Sequence, residues 1–219
     1  CLDEHGFQFS RWADRGLPKV TPLWLLKYLP NMAASHIAIY NDLRGPSNSI
    51  TLREASANLA VAEAYCTIAR GSADAVVAGA TGTRIHPLRT VHVMLQEELA
   101  IDGADPAKLC RPFDLHRSGL VIGEGAGAVV LEELETARAR GVTILGEVIG
   151  YGSSTRLRSD GVADRGTALQ NALRQALKTS GLQPEQIGHI HAHGVATRSC
   201  DAEEAQAIQR VFQQRREGV

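Results

Sequence analysis

The 219-residue sequence predicts an α/β fold, and three observations carry that prediction. "ADAVVAGA" (73–80) is a continuous apolar run of strand length, following an alanine-rich stretch of helical spacing that stops at Gly71. "TILGEVIGYGSS" (143–154) and "IGHIHAHG" (187–194) read as strands flanking a helical face of Leu169, Ala172, Leu173, Ala176 and Leu177. Strand, helix and strand in that order imply a right-handed parallel unit. The bulk numbers agree with a folded domain. Charged residues are 21%, apolar residues 44% and the net charge is −1, values that point neither to disorder nor to a basic nucleic-acid surface.

Residues 1–30 carry turn signals at Gly16, Pro18, Pro22 and Pro30 around the apolar cluster "PLWLLKYL", and read as a lead-in segment. Ala34, Ile37 and Tyr40 then fall at helical spacing, before "RGPS" breaks the pattern. "SNSIT" predicts a short strand, and Ala55, Leu59, Ala62, Cys66 and Ala69 predict a helix buried on most sides, with Gly71 as its stop. "ADAVVAGA" follows as the kind of strand found in a sheet covered on both faces. "AGAVVLEEL" (126–134) predicts another strand, "ETARARG" a short helix closed by Gly141, and the Leu169–Leu177 face a helix ending at Gly181. A last helix is expected from Asp201, where Asp201 and Glu204 have capping spacing and Ala205, Ile208 and Phe212 line one face.

Cys1, Cys66, Cys110 and Cys200 form no C-x-x-C pair and are read as reduced thiols. No apolar run approaches the roughly 20 residues of a membrane helix, so the expectation is a cytoplasmic protein with neither membrane nor nucleic-acid partners. The first residue is Cys rather than Met and "QQRREGV" closes the sequence; on these grounds the chain is read as part of a longer one.

Glu54 stands where the apolar "SNSITL" run meets the alanine-rich helix. A strand turning sharply into a helix is where many α/β enzymes display a nucleophile, because the helix N-terminus stabilises negative charge. The bland alternative is an acidic residue that gains roughly 0.3–1 kcal/mol from the helix dipole. His193, in "HAHGVAT", follows a strand-like run and so lies where α/β folds bind ligands; catalysis and a structural histidine are equally compatible with that place. Cys200 lies close to His193 in sequence, which is weak evidence for a dyad. "GEGAG" (123–127) lacks the ending of a phosphate loop and reads as tight backbone packing. His5, His36, His86, His92 and His116 show no metal-ligand spacing, so neither metal nor cofactor is expected.

Taken together, "NMAASH", "LRGPSNSI", "CRPFDLHRSGLVIGEGAGAVVLEE" and "GHIHAHGVATRSCDAEEAQAI" resemble, in order, the motifs of the β-ketoacyl-acyl carrier protein synthases of the thiolase superfamily. The resemblance runs over nearly the whole chain. It implies part of a five-layer α-β-α-β-α sandwich, with residues 1–143 as the later part of the N-terminal half and 144–219 as the first part of the C-terminal half. Aligning "GPSNSITLREASAN" on the family's G-P-S-x-S-[IV]-x-T-A-C-[ST]-S places Glu54 on the nucleophilic cysteine. His193 matches the first of two catalytic histidines, and Thr197 the second of two threonines that contact pantetheine. Val195 stands in place of the first. The motif of the second histidine, G-H-[TS]-x-G-A-A-G, is found nowhere in the chain.

The resemblance therefore implies a protein of fatty acid or polyketide biosynthesis that acts on or binds acyl carrier protein or CoA thioesters. Replacement of the cysteine implies that condensation fails, which leaves open whether the chain is an enzyme. The alternative is a non-catalytic partner similar to chain-length factors, which carry glutamine at the cysteine position. Either way, the resemblance implies a homodimer or a heterodimer with a ketosynthase.

Overall fold

The computed structural model describes residues 2–4, 6–100 and 105–212. The chain divides into two compact units, residues 1–56 and 57–219. In the first, β1 (Leu2–Asp3) and β2 (Gly6–Phe7) form a small antiparallel hairpin. Single helical turns follow at Phe9–Arg11, Trp12–Gly16, Leu17–Lys19 and Trp24–Lys27. Proline removes a backbone donor and fixes φ, so Pro18 and Pro22 are placed to keep these turns from merging. The expected helix around Ala34, Ile37 and Tyr40 is α1 (Met32–Tyr40).

The strand expected at "SNSIT" is not formed: residues 46–52 belong to no ladder. Period and composition prepare a backbone for pairing, but a strand exists only when a neighbour supplies the bonds. The chain then enters a 3₁₀ turn at Arg53–Ala55, which leads into α2 (Ser56–Ala69). Ala62, Ala64 and Thr67 of α2 are buried and the other residues from 59 to 68 are partly covered; Ala62 and Ala64 lie about 200° apart around the axis at 3.6 residues per turn, so over that stretch the helix is covered on most sides, as expected.

In the second unit β3 (Ala75–Thr83) pairs antiparallel with β4 (Glu124–Glu132), in register from Ala75↔Glu132 to Thr83↔Glu124. Between them lies α3 (Pro87–Gln96), and α4 (Leu134–Ala139), α5 (Arg165–Ser180) and α6 (Arg198–Phe212) follow. The sheet expected to be covered on both faces is, among the described residues, this two-stranded pair, with only Ala78 of β3 buried. "GEGAG" opens β4, and its tight-packing reading is corrected: a Cβ on Gly123, Gly125 or Gly127 would meet nothing within 4 Å, and the close approach lies on the facing strand, where a Cβ on Gly79 would run into the Gly127 carbonyl and Ala128.

The helical face of α5 is as expected, with Leu169, Ala172, Leu173, Ala176 and Leu177 partly buried while Asn171, Arg174, Gln175 and Lys178 are exposed. Gly181 ends the helix in the left-handed region at φ 72°. Residues 143–154 and 187–194 form no ladder, so the parallel unit inferred from them is also corrected. The first segment lies on α5 instead. The Tyr151 N–H donates to Thr179 Oγ1 (3.0 Å) and the Ser153 N–H to Gln175 Oε1 (3.2 Å), so helix side chains take donors a strand would have given its neighbour. Tyr151 also joins α2: Cys66 Sγ lies 3.2 Å from its hydroxyl and Tyr65 packs at a ring distance of 5.9 Å. That hydrogen bond with Cys66 is the main cause holding the Tyr151 hydroxyl above its ordinary pKa.

Asp164 caps α5, its Oδ1 accepting the Thr167 N–H at 3.0 Å. The Thr167 backbone hydrogen bond, followed by its hydroxyl, holds the Asp164 carboxyl below its usual value. A folded-state pKa depressed below the unfolded one gives stability that is present above the unfolded value of about 3.9 and is lost as pH falls through the folded value. Asp164→Ala is therefore expected to lower the urea midpoint at pH 7 and to lose that difference from wild type at strongly acid pH. An equal difference at both pH values would contradict this account.

Candidate functional site

The loop from His193 to Arg198 connects the 187–192 segment to α6, and two carboxylates of α6 hold it. Glu204 accepts the N–H groups of His193 (2.7 Å, Oε1) and Gly194 (2.9 Å, Oε2). Asp201 Oδ1 accepts those of Val195 and Ala196, both at 3.1 Å. Four successive amides are thus bound by two side chains one helical turn away. These are charge-assisted bonds, stronger than neutral ones. The capping role expected for Asp201 and Glu204 is corrected here. The helix begins earlier, at Arg198, and the Cys200 N–H is taken by Thr197 Oγ1 (3.3 Å), leaving both carboxylates free to reach back to the loop.

Asp201 is 1% exposed, and burying a carboxylate requires a partner. Its Oδ2 accepts the Phe113 N–H at 2.7 Å and lies 3.4 Å from Arg117 Nε. The Arg117 guanidinium also donates to the carbonyls of Asp114 (2.8 Å), Thr197 (3.1 Å) and Arg198 (2.9 Å). One cation therefore neutralises the buried acid and ties residues 111–118 to the histidine loop. Contact between the two loops is close: a Cβ on Gly194 would lie 2.9 Å from Pro112 Cβ. Gly194 (φ 51°), Ala196 (φ 63°) and Phe113 (φ 62°) are all left-handed, a conformation that non-glycine residues hold only where their surroundings over-determine it.

His193 is exposed, and its backbone is fixed by the bond to Glu204. Thr197 is 4% exposed, and its hydroxyl oxygen is engaged at the start of α6. These two predicted residues share one loop, whereas Glu54 belongs to the other compact unit. Its setting is nonetheless an elbow. Arg53 is left-handed at φ 52°, Glu54 follows in the 3₁₀ turn, and Ser56 Oγ accepts the Leu52 N–H at 2.8 Å across the entry to α2. The Glu54 side chain is 40% exposed and its Oε2 lies 3.6 Å from Arg53 Nε. Among the described residues no cluster of three or more His, Cys, Asp or Glu is placed to hold a metal ion, Cys66, Cys110 and Cys200 are free thiols, and no helix is long and apolar enough to cross a membrane.

Two family models match the sequence, the β-ketoacyl synthase N-terminal domain over residues 8–137 and the C-terminal domain over 145–219. The chain belongs to the β-ketoacyl synthase family. Among curated relatives, 3-oxoacyl-[acyl-carrier-protein] synthase 2 of Rhizobium meliloti is 38% identical over 200 residues, covering 90% of this chain and 47% of that one. The protein of the same name from Synechocystis sp. is 35% identical over 200 residues, covering 91% and 48%. A solved β-ketoacyl synthase from Burkholderia phymatum superposes with TM-score 0.83 at 30% identity, over 93% of this chain and 49% of that one. A chain from a type II polyketide synthase acyl-carrier protein in complex with its ketosynthase, bound to the hexaketide, superposes with TM-score 0.80 at 28% identity, over 88% and 48%. The fold is therefore thiolase-like, and the chain spans about half the length of the relatives it matches.

Within this β-ketoacyl synthase chain, sequence reasoning singled out His193 but not Arg117, nor the bonds made by Asp201 and Glu204. Arg117 lies in "CRPFDLHRSG", and its partners Thr197 and Asp201 are more than 75 residues away along the chain; no local pattern marks such a pairing.

Proposed function

We propose that the chain is a β-ketoacyl synthase-like protein of fatty acid or polyketide biosynthesis that binds acyl carrier protein or CoA thioesters without condensing them. One feature carries this reading: Glu54 follows left-handed Arg53 in the turn before α2, and the motif alignment sets it at the position of the family cysteine. In a condensing enzyme the thiolate attacks the thioester carbonyl and keeps the acyl group as a new thioester. A carboxylate is a poor nucleophile for that exchange, and its product would be a mixed anhydride, open to hydrolysis. Ionised carboxylate also accepts hydrogen bonds only and repels both malonate and the enolate formed on decarboxylation. His193 keeps a role on this reading, as a donor toward a thioester carbonyl held near Thr197. The division at residue 143 and a cytoplasmic location belong to the same reading.

Intact-mass measurement after incubation with acyl-CoA or acyl-carrier protein tests it. No stable acyl adduct is expected on the wild-type chain, and Glu54→Cys is expected to gain one on the peptide containing residue 54. A stable adduct mapped to residues 50–60 of the wild type would overturn the reading.

A second reading, a chain-length-factor-like partner, draws on the similar shape of glutamate and the glutamine that such partners carry. Its discriminating result is association with an active ketosynthase. Sedimentation of the mixture should then show a heterodimer burying at least about 1,000 Å², and persistence of two separate species would exclude it.

A further inference from the structure

Three histidines alternate in "HIHAHG", and two of them already meet: the rings of His189 and His191 lie with centroids 6.5 Å apart and planes at 50°. Both residues are exposed. We propose that His189 and His191 form a two-point binding site for a divalent transition-metal ion of the imidazole-preferring kind, Zn²⁺, Ni²⁺ or Cu²⁺. A metal bound about 2.0–2.1 Å from an imidazole nitrogen sits roughly 3.2 Å from the ring centroid, so two rings on one ion have centroids at most about 6.4 Å apart, and closer to 5 Å at tetrahedral angles. The observed separation is therefore about 1 Å from a chelating geometry. As placed, the rings stand just beyond that maximum, and exposed side chains turn on the picosecond-to-nanosecond scale, so in this proposal the pair closes on the ion by side-chain rotation.

His193 is not required as a third ligand. Its backbone is held by Glu204, and no three-ligand cluster exists among the described residues; water completes the coordination. Hard cations such as Mg²⁺ and Ca²⁺, which select oxygen ligands, are not expected to bind there.

The test uses the untagged full chain, titrated calorimetrically with Zn²⁺ and Ni²⁺, beside His189→Gln, His191→Gln and the control variants His36→Gln and His116→Gln. The tightest site is expected to weaken by on the order of tenfold or more in each of the first two variants and to be unchanged in the controls. Wild-type NMR gives an independent readout: substoichiometric Cu²⁺ should broaden the His189 and His191 ring resonances before those of the other histidines. Retention of the tightest site in either His189→Gln or His191→Gln, or first broadening at another histidine, would overturn the proposal.

Discussion

Asp201→Ala is expected to lower folding stability by about 3–5 kcal/mol, the range for removing one partner of a buried ion pair. The side chain is 1% exposed and serves four groups: the N–H donors of Phe113, Val195 and Ala196, and the Arg117 guanidinium. Alanine would leave three amides without an acceptor and a cation only 16% exposed without its counter-charge. Asp201→Asn is also expected to destabilise, because its NH₂ would face donors where a carboxylate presents two acceptors. Urea unfolding gives the magnitude, and amide exchange should report the place, with protection lost first at residues 193–197. A loss below about 1 kcal/mol would mean that the loop is held by packing instead.

Gly152→Ala is the second large effect. An added Cβ there would overlap the Ala172 carbonyl oxygen, and 2.9 Å away would meet the Ala176 nitrogen, both in the backbone of α5. Overfilled sites usually lose about 1–3 kcal/mol, and more where the obstacle is backbone that cannot rotate aside. To relieve the overlap the segment must lift from α5, breaking the bonds from Tyr151 to Thr179 and from Ser153 to Gln175. Thermal unfolding of Gly152→Ala beside Gly146→Ala makes a matched comparison, since a Cβ at Gly146 meets nothing within 4 Å. The first should melt many degrees lower; the second should stay close to wild type or rise slightly. Equal melting temperatures would refute the close-approach account.

The helices were legible in the sequence because their information is local. The Leu169, Ala172, Leu173, Ala176, Leu177 spacing and the Gly181 stop specify α5 from within its own length. The strands were only half legible. Residues 73–80 and 126–134 found each other as β3 and β4, but 49–51, 143–154 and 187–194 have strand composition without a ladder, since composition cannot name a partner. At the site, the His193 motif was readable, yet the i, i+3 spacing of Asp201 and Glu204 pointed to capping within the helix. Spacing gives a face but not the direction in which a carboxylate reaches; here both reach back across the loop.

The elbow at Arg53 has a consequence for how such sites are built. A non-glycine residue at φ 52° is held against a steric penalty of roughly 1–2 kcal/mol, a cost met only where the surroundings fix the bend. Here the Leu52 N–H donates to Ser56 Oγ across the bend, a bond in which the side chain of residue 54 takes no part. The display geometry and the displayed group are thus separable: the backbone frame is specified by the turn and its flanking bonds, and remains available to whichever side chain residue 54 carries.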